Sequence, residues 1–105
     1  MNVELLWFED CPNHPVAEHM LADVLAEYGV TDPIQRIEVP DLETGRRVRF
    51  PGSPTIRING TDVEPGWQPT DDFTPRCRLY ATKHGLRGVP EYRWIVGAVG
   101  VALEG

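Results

Sequence analysis

Cysteine and serine are scarce in this chain. Among the 105 residues there are two cysteines, Cys11 and Cys77, and a single serine, Ser53. Two cysteines are too few for the disulfide framework of a small secreted domain, so we expect free thiols or a transient pair in a reducing compartment. The serine does not lie in a nucleophile elbow, which gives no support to a serine hydrolase.

Basic charge and long apolar runs are also lacking. The chain has 10 Lys and Arg against 16 Asp and Glu, a net charge of −6, and a pI of about 4.9. This balance argues against a nucleic-acid partner. No apolar run approaches the roughly 18 residues that a membrane span needs. The apolar start, Met1–Phe8, has neither a basic segment nor a signal cleavage site. We therefore expect a small acidic cytoplasmic protein without a membrane partner.

The length and the order of the apolar patterns predict one α/β domain over residues 1–105. Val3–Phe8 is almost continuously apolar, as in a central strand covered on both faces. Pro15–Tyr28 places its apolar residues in one half of a helical wheel and ends before Gly29. The predicted order is β-α-β-α-β-β-α. The remaining elements are expected at Ile34–Val39, Asp41–Phe50, Thr55–Ile58, Thr61–Val63 and a final helix from Pro90.

Turn signals define the connections between these elements. Asn59-Gly60 supplies the positive φ angles of a type I′ turn and predicts an antiparallel hairpin. The first strand, helix and strand form a βαβ unit, whose strands should be parallel. Residues 64–89 are rich in proline and glycine with little periodicity. We expect a long loop there, with a short extended piece at Cys77–Tyr80.

Two short motifs carry the candidate chemistry. In the first, Cys11-Pro12-Asn13-His14, a cysteine lies where a buried strand gives way to the amino end of a helix. Free backbone N–H groups there stabilise a thiolate. In the second, Ser53-Pro54-Thr55, a proline precedes the third strand. A cis bond at Pro54 would turn the chain and point backbone groups at a neighbouring site.

In this succession the two motifs resemble the thioredoxin-like family over about Val3 to Val63, and the last helix matches in order. Among its members the chain looks most like small bacterial proteins with an early Cys-Pro motif and a later Cys-Arg-x-Tyr, some of them labelled mercury-related. The resemblance implies a central four-stranded mixed sheet flanked by helices. It also implies an attacking thiol at Cys11 and a cis-proline at Pro54. The expected substrate-binding residues are Pro12, Ser53, Pro54 and Thr55.

One position departs from the family pattern. Oxidoreductases with two thiols carry the second cysteine three residues after the first, and here that residue is His14. His14 would then favour the Cys11 thiolate in a one-cysteine mechanism that ends in a mixed disulfide. Alternatively, Cys77 folds over the site as the resolving thiol. A third reading is that the fold remains without redox chemistry.

Other ligand classes find less support. Cys11, His14, Cys77 and His84 form a zinc-type ligand set, but their spacing matches no compact zinc module. No resident metal or nucleotide cofactor is expected. The sequence thus predicts a thiol–disulfide oxidoreductase, or a thiol-dependent redox protein, acting on a protein disulfide or a small thiol. The alternative is a non-enzymatic module that holds a partner or a soft ion such as Hg(II) or Cu(I).

Overall fold

Strands and helices alternate through the first half of the chain, as the apolar patterns predict. A computed structural model describes residues 1–105. Its elements in chain order are β1 (Val3–Trp7), α1 (His14–Glu27), β2 (Ile34–Glu38), α2 (Leu42–Val48), β3 (Thr55–Ile58), β4 (Thr61–Asp62), β5 (Tyr80–Thr82), β6 (Gly85–Arg87) and α3 (Tyr92–Glu104).

The central sheet has four strands in the order β2-β1-β3-β4. β1 pairs in parallel with β2, from Val3 opposite Ile34 to Trp7 opposite Glu38. On its other side β1 is antiparallel to β3, with Leu6 opposite Thr55. β3 and β4 form the predicted hairpin, whose turn residues Asn59 and Gly60 both have positive φ. The four-stranded mixed sheet and the three helices expected from the sequence are confirmed.

The alternation of side chains along β1 divides the core between two faces of the sheet. Val3 and Leu5 belong to a large cluster formed with α1, β3 and α3, whereas Leu6 belongs to a smaller cluster on the opposite face. The larger cluster comprises Val3, Leu5, Ala17, Leu21, Val24, Leu25, Ile56, Ile58, Val63, Ile95 and Val99. The smaller comprises Leu6, Val39 and Phe50, with Val48 of α2 packed against it.

The helices differ from the sequence expectations mainly at their ends. α1 begins one residue earlier than expected, at His14, and its buried face is narrower than the apolar half-wheel because Val16 and Tyr28 are exposed. Asp41 caps α2, since its Oδ1 accepts a hydrogen bond from the Thr44 N–H at 2.8 Å. None of the three helices combines the length and apolar composition that crossing a membrane requires.

The region expected to be a long loop contains regular structure. Within residues 64–89, β5 and β6 pair as a short antiparallel hairpin separate from the main sheet. The sequence analysis did not predict the hairpin, because each strand has only three residues, too few to show the alternation of apolar and polar residues that indicates a strand. Its anchor is Tyr80, which is fully buried, whereas Leu86 on the opposite strand is exposed.

Candidate thiol site

Cys11 lies in the turn that joins β1 to α1. Its backbone N–H donates to the Phe8 carbonyl at 3.0 Å, and the first helical residue is His14, three positions later. The side chain is completely buried, with 0% of its surface exposed. Cys11 is therefore near the amino end of α1, as predicted, but it is covered by other parts of the chain.

Two polar neighbours contact the Cys11 thiol. Cys11 Sγ donates a hydrogen bond to the Ser53 carbonyl at 3.3 Å, and Asn13 Nδ2 donates to Sγ at 3.9 Å. The Asn13 amide packs against Gly88, where a Cβ atom would collide with it. The turn before α1 and the segment before β3 thus meet at this sulfur.

The Ser53–Pro54 peptide bond is cis, as the sequence predicts. Ser53, Pro54 and Thr55 are all buried. The backbone groups of Ser53 are engaged within the chain, since its N–H donates to the Arg76 carbonyl at 2.7 Å and its carbonyl accepts from the Arg78 N–H at 2.8 Å. The Ser53 hydroxyl is buried without a hydrogen-bond partner.

These two hydrogen bonds place Cys77 opposite Ser53 in an isolated parallel β-bridge. We call residues 76–78 the covering segment. Both cysteines are free thiols, and Cys77 is exposed whereas Cys11 is buried. A hydrogen bond to Cys11, followed by partial burial and the charge of Cys11, raises the pKa of Cys77 to about 11. The two cysteines, 66 positions apart in sequence, thus meet at Ser53, which pairs with Cys77 and accepts a hydrogen bond from Cys11 Sγ. The raised pKa leaves Cys77 protonated at neutral pH.

Arg78 anchors the covering segment to the hairpin of β3 and β4. Its side chain is 5% exposed and that of Asp62 is 3% exposed. The guanidinium donates to both carboxylate oxygens of Asp62, at 2.7 and 3.1 Å, and to Glu64 Oε1 at 2.8 Å. It also donates to Thr55 Oγ1 at 3.0 Å. Burial lowers the pKa of Arg78, but the bonds to Asp62 and Glu64 outweigh it and leave the pKa raised.

Aromatic rings complete the anchor. The Arg78 guanidinium lies 4.2 Å from the centre of the Tyr80 ring and 5.9 Å from that of Trp67. The Tyr80 hydroxyl donates to the Pro54 carbonyl, and burial raises the pKa of Tyr80 far above its usual value. The ion pair and the buried ring together fix the end of the covering segment and the residues that follow it.

The remaining predicted site residues make no recorded contact with the thiols of Cys11 and Cys77. His14 packs its ring on Trp7, with ring centres 4.5 Å apart, and makes no hydrogen bond to Cys11. Pro12 is exposed, and His84 is exposed at the β5–β6 turn. No group of three His, Cys, Asp or Glu side chains is arranged to hold a metal ion, so the four residues of a zinc-type set do not assemble. The catalytic and substrate-binding roles assigned from sequence remain predictions.

Comparison of the chain with models of known protein families, with curated proteins and with solved structures found no match. The site must therefore be interpreted from its own geometry.

Sequence reasoning missed three residues of the site, Asn13, Asp62 and Arg78. A buried arginine looks like any surface arginine in a sequence, and its partners lie 16 and 14 positions away, at Asp62 and Glu64. The extended piece expected at Cys77–Tyr80 places Arg78 and Tyr80 on the same face, and the structure buries both, but this pattern does not show which carboxylates pair with Arg78.

Proposed function

We propose that this chain is a thiol–disulfide redox protein of thioredoxin-like type, in which Cys11 and Cys77 form the redox couple. The observation that carries the proposal is that both cysteines meet at Ser53, which pairs with the backbone of Cys77 and accepts a hydrogen bond from Cys11 Sγ. The position of the usual second thiol is His14, which faces Trp7 instead. Cys77 is therefore the partner available within the chain.

The surroundings of the pair support reversible disulfide formation. A disulfide requires Cα atoms within about 7 Å and side chains that point toward each other. Both cysteines are held at Ser53, Cys77 by its backbone bridge and Cys11 by the hydrogen bond from its thiol to the Ser53 carbonyl. Cys77 also has a fixed backbone position, because the hydrogen bonds of Ser53 to Arg76 and Arg78 flank it on both sides. Oxidation would thus join two segments that are already in place.

The thioredoxin-like assignment is part of the same proposal. Its support is the strand order β2-β1-β3-β4, the cysteine after β1, and the cis-proline at the start of β3. These features recur in the order that the sequence motifs suggested. The β5–β6 hairpin and the covering segment lie outside residues 3–63, over which the motifs resemble that family.

Turnover tests the redox function. The protein should reduce a small fluorogenic disulfide through many cycles when a thiol donor is supplied, and Cys11→Ser and Cys77→Ser should each lose this activity. His84→Gln is the matched control, because His84 is exposed in the β5–β6 turn. Wild-type activity no higher than that of the double Cys→Ser variant would contradict an oxidoreductase.

The same thiol pair favours one other function, the binding of a soft ion such as Cu(I) or Hg(II). Two neighbouring thiols without a third ligand suit an ion that prefers sulfur. Such a module should saturate at one ion per chain and should not turn over a disulfide. Saturation that needs both cysteines, combined with absence of turnover, would select this alternative.

A further inference from the structure

The two sulfurs of the proposed couple differ sharply in accessibility. Cys11 has 0% of its surface exposed, whereas Cys77 is exposed. The expectation from sequence has Cys11 as the attacking thiol and Cys77 as the resolving one. We propose that these two roles are reversed: external thiols and disulfides exchange at Cys77, and Cys11 exchanges only with Cys77. This inference rests on the proposed redox function.

The covering segment closes the route to Cys11. Arg76 and Arg78 occupy the Ser53 N–H and carbonyl, so an extended peptide cannot pair with Ser53 while the segment is in place. Displacing the segment would pull Arg78 out of its ion pairs with Asp62 and Glu64, at 2.7 and 2.8 Å. Opening at this point is therefore costly, because it separates a buried charge from its partners.

An external partner consequently has to meet the site at Cys77. A small thiol, or a cysteine on a flexible chain, can approach this sulfur without displacing the covering segment. A partner that must lie along the backbone of Ser53 cannot. The inferred substrate class is therefore low-molecular-weight thiols and disulfides, together with protein cysteines presented on mobile segments.

The exchange balances as two successive displacements. In the first, an external thiolate attacks Cys77 Sγ, the Cys11–Cys77 bond breaks, and a mixed disulfide forms on Cys77. Cys11 leaves with the electron pair beside the Asn13 amide, which lies 3.9 Å away, and takes a proton from the solvent, to which the second external thiol loses one. In the second, the thiolate of that second external thiol attacks the external sulfur of the mixed disulfide and releases Cys77, which takes up the proton that the first external thiol lost to the solvent. Two external thiols are oxidised to one disulfide, and the protein disulfide is reduced to two thiols.

Two measurements on the full chain test this assignment. Reduced wild-type protein is treated with a small amount of N-ethylmaleimide and the labelled cysteine is found by peptide mapping. Oxidised protein is treated with 2-mercaptoethanesulfonate, quenched in acid with N-ethylmaleimide, and mapped in the same way.

We expect the maleimide on Cys77 at least about tenfold more often than on Cys11 in the first experiment. In the second, we expect the sulfonate adduct on Cys77 and the maleimide on Cys11. Labelling in denaturant, where the cysteines should react alike, is the control.

The outcomes separate this inference from the proposed function. Preferential labelling of Cys11, or a sulfonate adduct on Cys11, overturns the assignment even if the protein turns over disulfides. If no internal disulfide can be prepared, the proposed function fails. The maleimide experiment on the reduced protein still decides which sulfur faces the solvent.

Discussion

Arg78 and Asp62 form a bidentate ion pair, with nitrogen–oxygen distances of 2.7 and 3.1 Å, in a region where both side chains are almost completely buried. The pair connects the covering segment to β4. Because Cys77 directly precedes Arg78, the pair also fixes the backbone position of Cys77 beside Ser53. Arg78 thus acts as a positioning residue for the proposed redox couple without contacting either sulfur.

Replacing Arg78 should destabilise the protein strongly. Arg78→Met leaves Asp62 and Glu64 without their cation, and removal of one partner from a buried pair costs about 3–5 kcal/mol. The measurement is the free energy of unfolding from urea denaturation. The matched control is Arg36→Met, which breaks the exposed pair with Glu18 at 2.7 Å and should have a much smaller effect. Equal losses in the two variants would contradict the anchoring role of Arg78.

Removal of the Ser53 hydroxyl and removal of the Thr55 hydroxyl should have different effects on the free energy of unfolding. The Ser53 hydroxyl has no partner, so Ser53→Ala should leave the unfolding free energy nearly unchanged or slightly higher. Thr55 Oγ1 donates to the Gly52 carbonyl at 2.6 Å and accepts from Arg78. Thr55→Val should therefore cost about 1–3 kcal/mol, since it leaves buried groups unpaired. A larger loss for Ser53→Ala than for Thr55→Val would refute this reading of the site.

Gly52 provides a test of how closely the covering segment packs. Its φ is +123°, and an added Cβ would lie 2.8 Å from Arg78 Cβ. Gly66 also has positive φ, +73°, but nothing lies within 4 Å of its Cβ position. Gly66→Ala should cost about 1–2 kcal/mol from backbone strain alone. Gly52→Ala should cost more and should increase maleimide labelling of Cys11, because the segment must move. Unchanged labelling in Gly52→Ala would show that this contact does not protect Cys11.

The raised pKa of Cys77 predicts a steep dependence of its alkylation on pH. With a pKa of about 11 the thiolate is rare at neutral pH, so the rate with iodoacetamide should rise about tenfold per pH unit until the pH nears 11. Cys11→Ser removes the main cause of the shift and should speed alkylation of Cys77 near pH 7.5. The rate is followed by mass spectrometry of the Cys77 peptide. A plateau in the wild type near pH 8.5 would mean that the thiols do not interact.

The same shift has a consequence for stability. The pKa of Cys77 is higher in the folded state than the usual value near 8.5 in an unfolded chain. Folding therefore favours the protonated thiol. This contribution is present below about pH 8.5 and is lost as the pH rises toward 11. Tyr80, whose pKa burial raises still further, acts in the same direction.

The sequence predicted the parts of the site that depend on local patterns. The apolar run of β1, the turn at Asn59-Gly60 and the position of Pro54 are short-range signals, and each predicted element is present. Cys11 was placed correctly between β1 and α1, but its complete burial was not predicted. Whether two residues 66 positions apart meet depends on tertiary packing, which no periodicity records.

The ion pair of Arg78 could not be predicted from the sequence, for a related reason. The residue that binds Asp62 could not be distinguished from the other arginines of the chain, because burial of a charge becomes visible only with its partners. The contact of His14 with Trp7 is a similar case. Its place in the motif suggested a neighbour of Cys11, whereas the start of α1 turns the ring toward β1.

The most direct test of the account is the intact mass of the native protein, with thiol counting, before and after mild oxidation. We predict that oxidation removes both free thiols from the wild type and lowers its mass by the two hydrogens of one internal disulfide, with no dimer. Oxidised in the presence of a small thiol, Cys11→Ser should instead accumulate a mixed disulfide with that thiol on Cys77. If the wild type keeps both thiols free, or joins two chains through Cys77, then Cys11 and Cys77 are not a redox couple and the central claim is wrong.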